Sequence, residues 1–152
     1  MNVRLGALLG TGLLALLLTS TLHAAQAANQ NDAVEPIGKP SSIPGVLAVQ
    51  PAEVIQLANL DEDMVIFDAR SEAQRSKGKL AWSEGFELKQ LAATQLASKV
   101  ASKSTVVLFY GDENDPNAAL GAKTAVAKGY TSVYWLQGGW PAWQQSGLRL
   151  DQ

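Results

Sequence analysis

The sequence predicts an α/β domain in three layers, with a parallel central sheet flanked by helices. Three observations predict it. Short apolar runs rich in Val, Leu and Phe alternate along the chain with segments of helical period. Several of these runs are continuous rather than alternating apolar with polar, as strands buried on both faces must be. Glycines, prolines and acidic residues stand at the joints, where helices start and stop. Strands that alternate with helices give a parallel sheet covered on both faces.

In chain order, Ile43-Pro44-Gly45 is a turn, and residues 46–49 form the first short strand. Pro51-Ala52-Glu53 starts a helix with Pro at its first position and an acid in its first turn. Val54, Ile55, Leu57 and Ala58 supply its apolar side, and Asn59 ends it. Asp61-Glu62-Asp63 reads as a solvated turn. Residues 64–67 are the next strand, with Asp68-Ala69-Arg70 at its C-terminal end. Ser71 caps a short helix through Lys77, and Gly78 stops it. Residues 80–82 and 86–88 are short apolar pieces around Ser83-Glu84-Gly85. Leu88, Leu91, Ala92, Leu96 and Val100 set out a helical period, with Lys89, Gln90, Gln95 and Lys99 on the other face. Residues 105–110 form a buried strand. Asp115 is an N-cap and Pro116 the first position of an Ala-rich helix that runs to Lys128 and closes at Gly129. Its small residues let it approach the sheet closely. Residues 131–136 are the last strand, Gly138-Gly139 a turn, and residues 140–145 a short closing helix.

The bulk numbers fit one domain with a real core: 152 residues, 47% of them apolar and 17% charged. A net charge of −2 gives no reason to expect nucleic acid or an anionic membrane surface. The N-terminus reads as a signal peptide over residues 1–27. Arg4 precedes an uncharged run at 5–18, and Ala25-Gln26-Ala27 is a cleavage pattern. The run is too short to span a bilayer comfortably, an uncleaved membrane anchor being the alternative reading, and no Cys follows it, which excludes a lipoprotein. Residues 28–42 read as a flexible linker and 43–152 as the domain. The expected location is periplasmic or secreted, with no membrane attachment after cleavage. The chain has no Cys, and its one His, His23, lies in the leader. The exported domain then has neither thiol nor imidazole. This excludes a cysteine nucleophile, a Ser-His-Asp arrangement, thiolate or imidazole zinc sites, and disulfides. Acid–base work would fall to carboxylates, Lys or Tyr.

Residues 104–116, STVVLFYGDENDP, are where function would sit. Strand, tight loop and helix N-terminus is a place where α/β proteins put chemistry. The ligand crevice of such sheets lies outside the C-terminal strand ends, and Asp68 and Gly111 both fall there. Asp68 and Arg70 read as a structural pair tying the strand end to the neighbouring loop, or as groups facing the crevice. Arg70, Arg75, Lys77 and Lys79 read as solvated charges, or as an anion patch. Asp112, Glu113, Asn114 and Asp115 offer oxygen ligands of the kind Ca²⁺ or Mg²⁺ takes, without the spacing of a calcium loop. The plainer reading gives Asp115 to helix capping and the others to solvent. Of Trp82, Trp135, Trp140 and Trp143, the last reads as core and Trp140 as the one to show at the surface.

The order of segments resembles a rhodanese-like domain over residues 46–148. Val65-Ile66-Phe67-Asp68-Ala69-Arg70 is similar to that family's strand ending in Asp-x-Arg. Gly78-Lys79-Leu80 is similar to its Gly-His-Ile, and residues 106–110 to the strand that delivers its active-site loop. Residues 133–143, VYWLQGGWPAW, are similar to its final strand and Gly-Gly-x-x-Ala-Trp signature. The resemblance implies that the residue after Tyr110 should be a cysteine. That cysteine carries a persulfide inside a loop of converging N–H groups, often helped by a basic residue. Here the position is Gly111, and the loop that follows is acidic. The family's His is Lys79, and an acid and an aromatic usual after Asp-x-Arg stand as Gln74 and Arg75.

The sequence therefore predicts an exported, non-catalytic rhodanese-like domain, without catalytic residue, cofactor or metal. It would bind a protein partner or small ligand at the 111–116 loop, through Gly111, Asp112, Glu113, Asn114, Asp115, Asp68 and Arg70. Two alternatives stand beside this. One is an enzyme of altered chemistry using the carboxylates, or a metal, at 112–115. The other is sulfur transfer with the thiol supplied by a partner protein.

Overall fold

The computed structural model describes residues 37–150. The leader and most of the linker read from the sequence lie outside these. A six-stranded sheet forms the middle layer: β1 (Lys39–Pro40), β2 (Val46–Val49), β3 (Val65–Asp68), β4 (Glu84–Gly85), β5 (Val107–Tyr110) and β6 (Val133–Leu136). Its spatial order is β1-β2-β6-β5-β3-β4. All neighbours are parallel except the β1–β2 edge pair. The helices are α1 (Pro51–Leu60), α2 (Glu72–Arg75), α3 (88–99), α4 (Pro116–Ala127) and α5 (Gly139–Ser146).

The period-2 geometry of the strands sorts the core into two. Phe67, Val107, Phe109 and Val133 point to one face, where they pack with Leu91 and Leu96 of α3 and Ala122 and Ala125 of α4. Ile66, Leu108, Tyr110 and Leu136 point to the other, with Val54 and Leu57 of α1 and Trp143 of α5. Each face is thus covered by a helix pair, which is the three-layer arrangement expected. The small residues of α4 matter here. A Cβ on Gly121 would lie 2.8 Å from both Phe109 and Phe86. The helix therefore rests directly on an aromatic cluster in which Phe67 and Phe109 stack at 5.3 Å between ring centroids.

Four details differ from the sequence reading. Lys39 and Pro40, placed in the linker, pair with Ala48 and Leu47 at the sheet edge. Glu84 and Gly85 form a strand beside Phe67 and Asp68 rather than a turn between apolar pieces. The helix at 88–99 carries one π turn, Leu91–Gln95, between two α segments. Asp61 is not solvated only: its Oδ2 accepts the Val106 N–H at 2.8 Å and its Oδ1 the Asp63 N–H at 3.0 Å, clamping the entry to β5.

Candidate functional site

Register brings Asp68 and Tyr110 side by side at the C-terminal ends of β3 and β5. The Tyr110 hydroxyl donates to Asp68 Oδ2, accepts the Leu80 N–H at 3.1 Å and lies 3.0 Å from Ser83 Oγ. Arg70 closes on the same carboxylate with both prongs of its guanidinium, Nε to Oδ1 at 3.0 Å and Nη2 to Oδ2 at 2.7 Å. Nη2 also donates to the Gly78 carbonyl at 2.9 Å. The guanidinium carbon sits 4.4 Å from the Trp140 ring centroid and 5.4 Å from that of Tyr110, so the cation lies between two aromatic rings. Gly78 is needed for this. Its φ is +146°, and a Cβ there would lie 3.1 Å from the Trp140 ring.

Asp68 is fully buried and Arg70 nearly so. Burial alone would lower the affinity of Arg70 for its proton, but the hydrogen bond and charge of Asp68 outweigh it and the pKa rises. For Tyr110, burial first and the Asp68 hydrogen bond second push the pKa from 10.0 up to about 12. The folded protein thus holds a proton that the unfolded chain releases between pH 10 and about 12. This contribution to stability is whole below pH 10 and is lost as pH rises through that window. Tyr110→Phe is expected to cost about 1–3 kcal/mol at neutral pH, because the Leu80 N–H and the Asp68 carboxylate each lose a partner. It should also flatten the alkaline decline. Urea titrations of both proteins across this range would show the two curves converging; parallel curves would refute the linkage.

The loop after β5 is closed on itself. Asp115 is the N-cap of α4, its Oδ1 accepting the Asn117 N–H at 2.8 Å. Its own N–H donates to the Asp112 carbonyl at 3.2 Å. Asn114 takes φ +60°, the left-handed conformation that Asn tolerates, and so turns the chain back. Gln74 joins the loop to α2: its Nε2 donates to Asp112 Oδ2, while its Oε1 accepts from the Ser71 N–H and hydroxyl at 3.0 and 2.8 Å. On the far side the Trp140 N–H donates to the Gly111 carbonyl at 2.8 Å. Gly139, at φ +56°, presses so close that a Cβ would lie 2.4 Å from the Gly111 oxygen. The space above Gly111 is filled: a Cβ there would meet Asp115 Cβ and Oδ2, each at 2.5 Å.

Two crevices open at the C-terminal strand ends, and only the smaller is lined by residues of this loop. The larger, of about 600 Å³, is lined by Ala69, Arg70, Arg75, Gly85, Phe86 and others, with only Asn117 coming from α4. The smaller, of about 390 Å³, takes Asp112 and Asn114 together with Trp135 and Lys39. The residues expected to bind a ligand are therefore dispersed. Asp68 reaches no surface. Arg70 walls the larger crevice, but its guanidinium is engaged by Asp68, Gly78 and Trp140. Gly111 is buried, Glu113 is exposed, and Asp115 is turned to capping. Among the described residues, no three Asp, Glu, His or Cys side chains converge as a metal would require. The basic group is dispersed as well: Lys77 is exposed, Lys79 donates to the Ser83 carbonyl at 2.7 Å, and Arg75 joins the engaged Arg70 in lining the crevice. Trp140 is half-buried over Arg70; the exposed indole is Trp82, at 48%, held at φ +58°. Trp143 is core. Tyr110, Ser83 and the Arg75–Gly85 contact carry no signal in the sequence, because each depends on which strands become neighbours.

A protein-family model for the rhodanese-like domain matches residues 50–146. No curated protein matches the chain. Similar solved structures include a protein of unknown function, possibly a tyrosine phosphatase by its description, from Rhodopseudomonas palustris. It is 23% identical over 75% of this chain and 100% of that one, at a TM-score of 0.57. The rhodanese-like domain of a protein from Anabaena sp. is 20% identical over 67% of this chain and 76% of that one, at 0.55. A Saccharomyces cerevisiae homolog of single-domain rhodanese and the Cdc25 phosphatase catalytic domain is 17% identical over 68% and 83%, at 0.54. At these identities the likeness is one of fold.

Proposed function

Because the chain belongs to the rhodanese-like domain family, we propose that it keeps the fold without the family's sulfur chemistry and works outside the cytoplasm as a binding module. The observation that carries this is the filled loop. Where a nucleophile would project from residue 111 there is no side chain, and the Asp115 carboxylate occupies the space. Its carboxylate and those of Asp112 and Glu113 would repel a thiolate or an anionic sulfur donor. Two of the three are already engaged, Asp115 by the helix N-terminus and Asp112 by Gln74. This also weighs against an enzyme that uses them as acid, base or metal ligands. The leader pattern at residues 1–27 and the lack of cysteine support an exported domain whose role does not depend on thiol chemistry.

The test is sulfur transfer from thiosulfate to cyanide by the purified protein. The expected rate is that of a heat-killed control. Turnover above that control would end this reading.

A further inference from the structure

The larger crevice contains a feature that neither the fold nor the closed loop requires. The Arg75 guanidinium is half-buried and lies across the bare Cα of Gly85. A Cβ on Gly85 would stand 2.2 Å from its Cζ, 2.4 Å from Nη2 and 2.6 Å from Nε. Nη1 donates to the Arg70 carbonyl. A guanidinium has five N–H donors in a planar fork, and among the described residues this is the one hydrogen bond that the Arg75 side chain makes. Among the described residues the only ion pairs are Arg70–Asp68 and Lys99–Glu84, so Arg75 has no carboxylate partner. Glu72 and Glu87 line the same crevice but stand at its exposed rim and do not pair with Arg75. A partly desolvated cation without a counter-ion is a cost to the free protein, and a planar anion would relieve it.

We propose that this crevice receives a small zwitterion of amino-acid or short-peptide type. Arg75 takes its carboxylate, and Glu72 and Glu87 take its ammonium group. A carboxylate matches the fork with two parallel hydrogen bonds. The rim carboxylates repel a ligand that is only anionic and favour one whose outer end is positive. Phe86 and Leu88 supply apolar wall, and Gln90 and Asn117 complete the lining, the Gln90 amide donating to Glu87 at 3.4 Å. The volume of about 600 Å³ is that of a small-molecule site. Gly85 is the seat of the site: any side chain there evicts the guanidinium, which is the flexible end of a long side chain.

The inference rests on the reading of the domain as a binding module, and the two have separate tests. Here the probe is L-alanyl-L-alanine, titrated into isotopically labelled full chain and followed by amide chemical shifts. The amides of Ser71, Gly85, Phe86 and Asn117 are expected to move. The C-terminally amidated and the N-acetylated dipeptides should each bind about tenfold more weakly or worse, each having lost one charge-assisted contact. Arg75→Met and Gly85→Ala should both abolish the shifts, the second without removing any charge. Failure of the dipeptide to move these amides would overturn the proposal. So would equal binding of either blocked form, or an unchanged titration of Arg75→Met. Should Gly85→Ala not fold, Arg75→Met decides. Sulfur transfer in the thiosulfate assay would refute the module reading and leave this titration to stand or fall by itself.

Discussion

Arg70→Met is expected to cost about 3–5 kcal/mol of stability, the range for breaking a buried ion pair from one side. The change leaves the Asp68 carboxylate, which is fully buried, without its counter-charge and the Gly78 carbonyl without its Nη2 donor. It also removes the cation held between Tyr110 and Trp140. Asp68→Asn is expected to be costly for the mirror reason, because it strands a buried guanidinium. The double variant should cost much less than the two single losses added together, since a neutral amide beside an apolar side chain needs no counter-ion. Urea unfolding of the parent, the two singles and the double measures this cycle. Losses below about 1 kcal/mol for the singles would place the pair in the class of exposed ion pairs and refute its structural role. Its position gives the pair this weight. It ties the end of β3 to the Gly78 turn and to α5, and so fixes the walls around the loop.

Gly111→Cys is expected to destabilise the protein by about 1–3 kcal/mol and to confer no sulfur transfer. A Cβ at 111 would overlap Asp115 Cβ as well as its carboxylate, so turning the Asp115 side chain cannot make room. The loop backbone would have to open, against the Asn117–Asp115 cap, the Gln74–Asp112 contact and the Trp140–Gly111 hydrogen bond. Adding Asp115→Gly removes the obstacle and, as a cap, costs only a few tenths of a kcal/mol. The double variant should recover most of the lost stability. It should still be a poor sulfur acceptor, because Asp112 and Glu113 remain beside the new thiol and raise its pKa. Thermal unfolding checks the packing claim, and thiol alkylation rate against pH checks the electrostatic one. Unchanged stability of Gly111→Cys would show that the loop is open in solution.

The two sets of variants probe features that differ in how far the sequence alone reveals them. The strand runs and helix periods were legible because they are local: β-branched and aromatic runs such as Val107-Leu108-Phe109 suit a sheet buried on both sides, and Asp115-Pro116 opens a helix wherever it stands. The boundaries moved by a residue or two. The edge strand Lys39–Pro40 is not legible in the sequence, because Pro and Lys carry no strand signal and are tolerated at an edge. The capping role of Asp115 was legible, but its occupation of the space over Gly111 was not. That depends on the left-handed turn at Asn114 folding the loop back. Trp140 was expected at the surface; the cation beneath it was hidden by its distance in sequence.

The sequence by itself determined the fold class, the family pattern and the chemistry that is missing. Composition excludes a thiol anywhere in the chain, and no folding can supply one; the single imidazole, His23, lies in the segment that reads as a leader. Tertiary structure alone decided which polar groups meet. Strand register sets Asp68 beside Tyr110, and the crossover that follows β3 brings Gly78, Leu80 and Ser83 back to them. The β3–β4 pairing sets Gly85 under Arg75. The physical reason is the range of the information. Propensity and periodicity act over a few neighbouring residues, whereas a buried hydrogen bond or a seated guanidinium joins segments that only the packed sheet brings within reach.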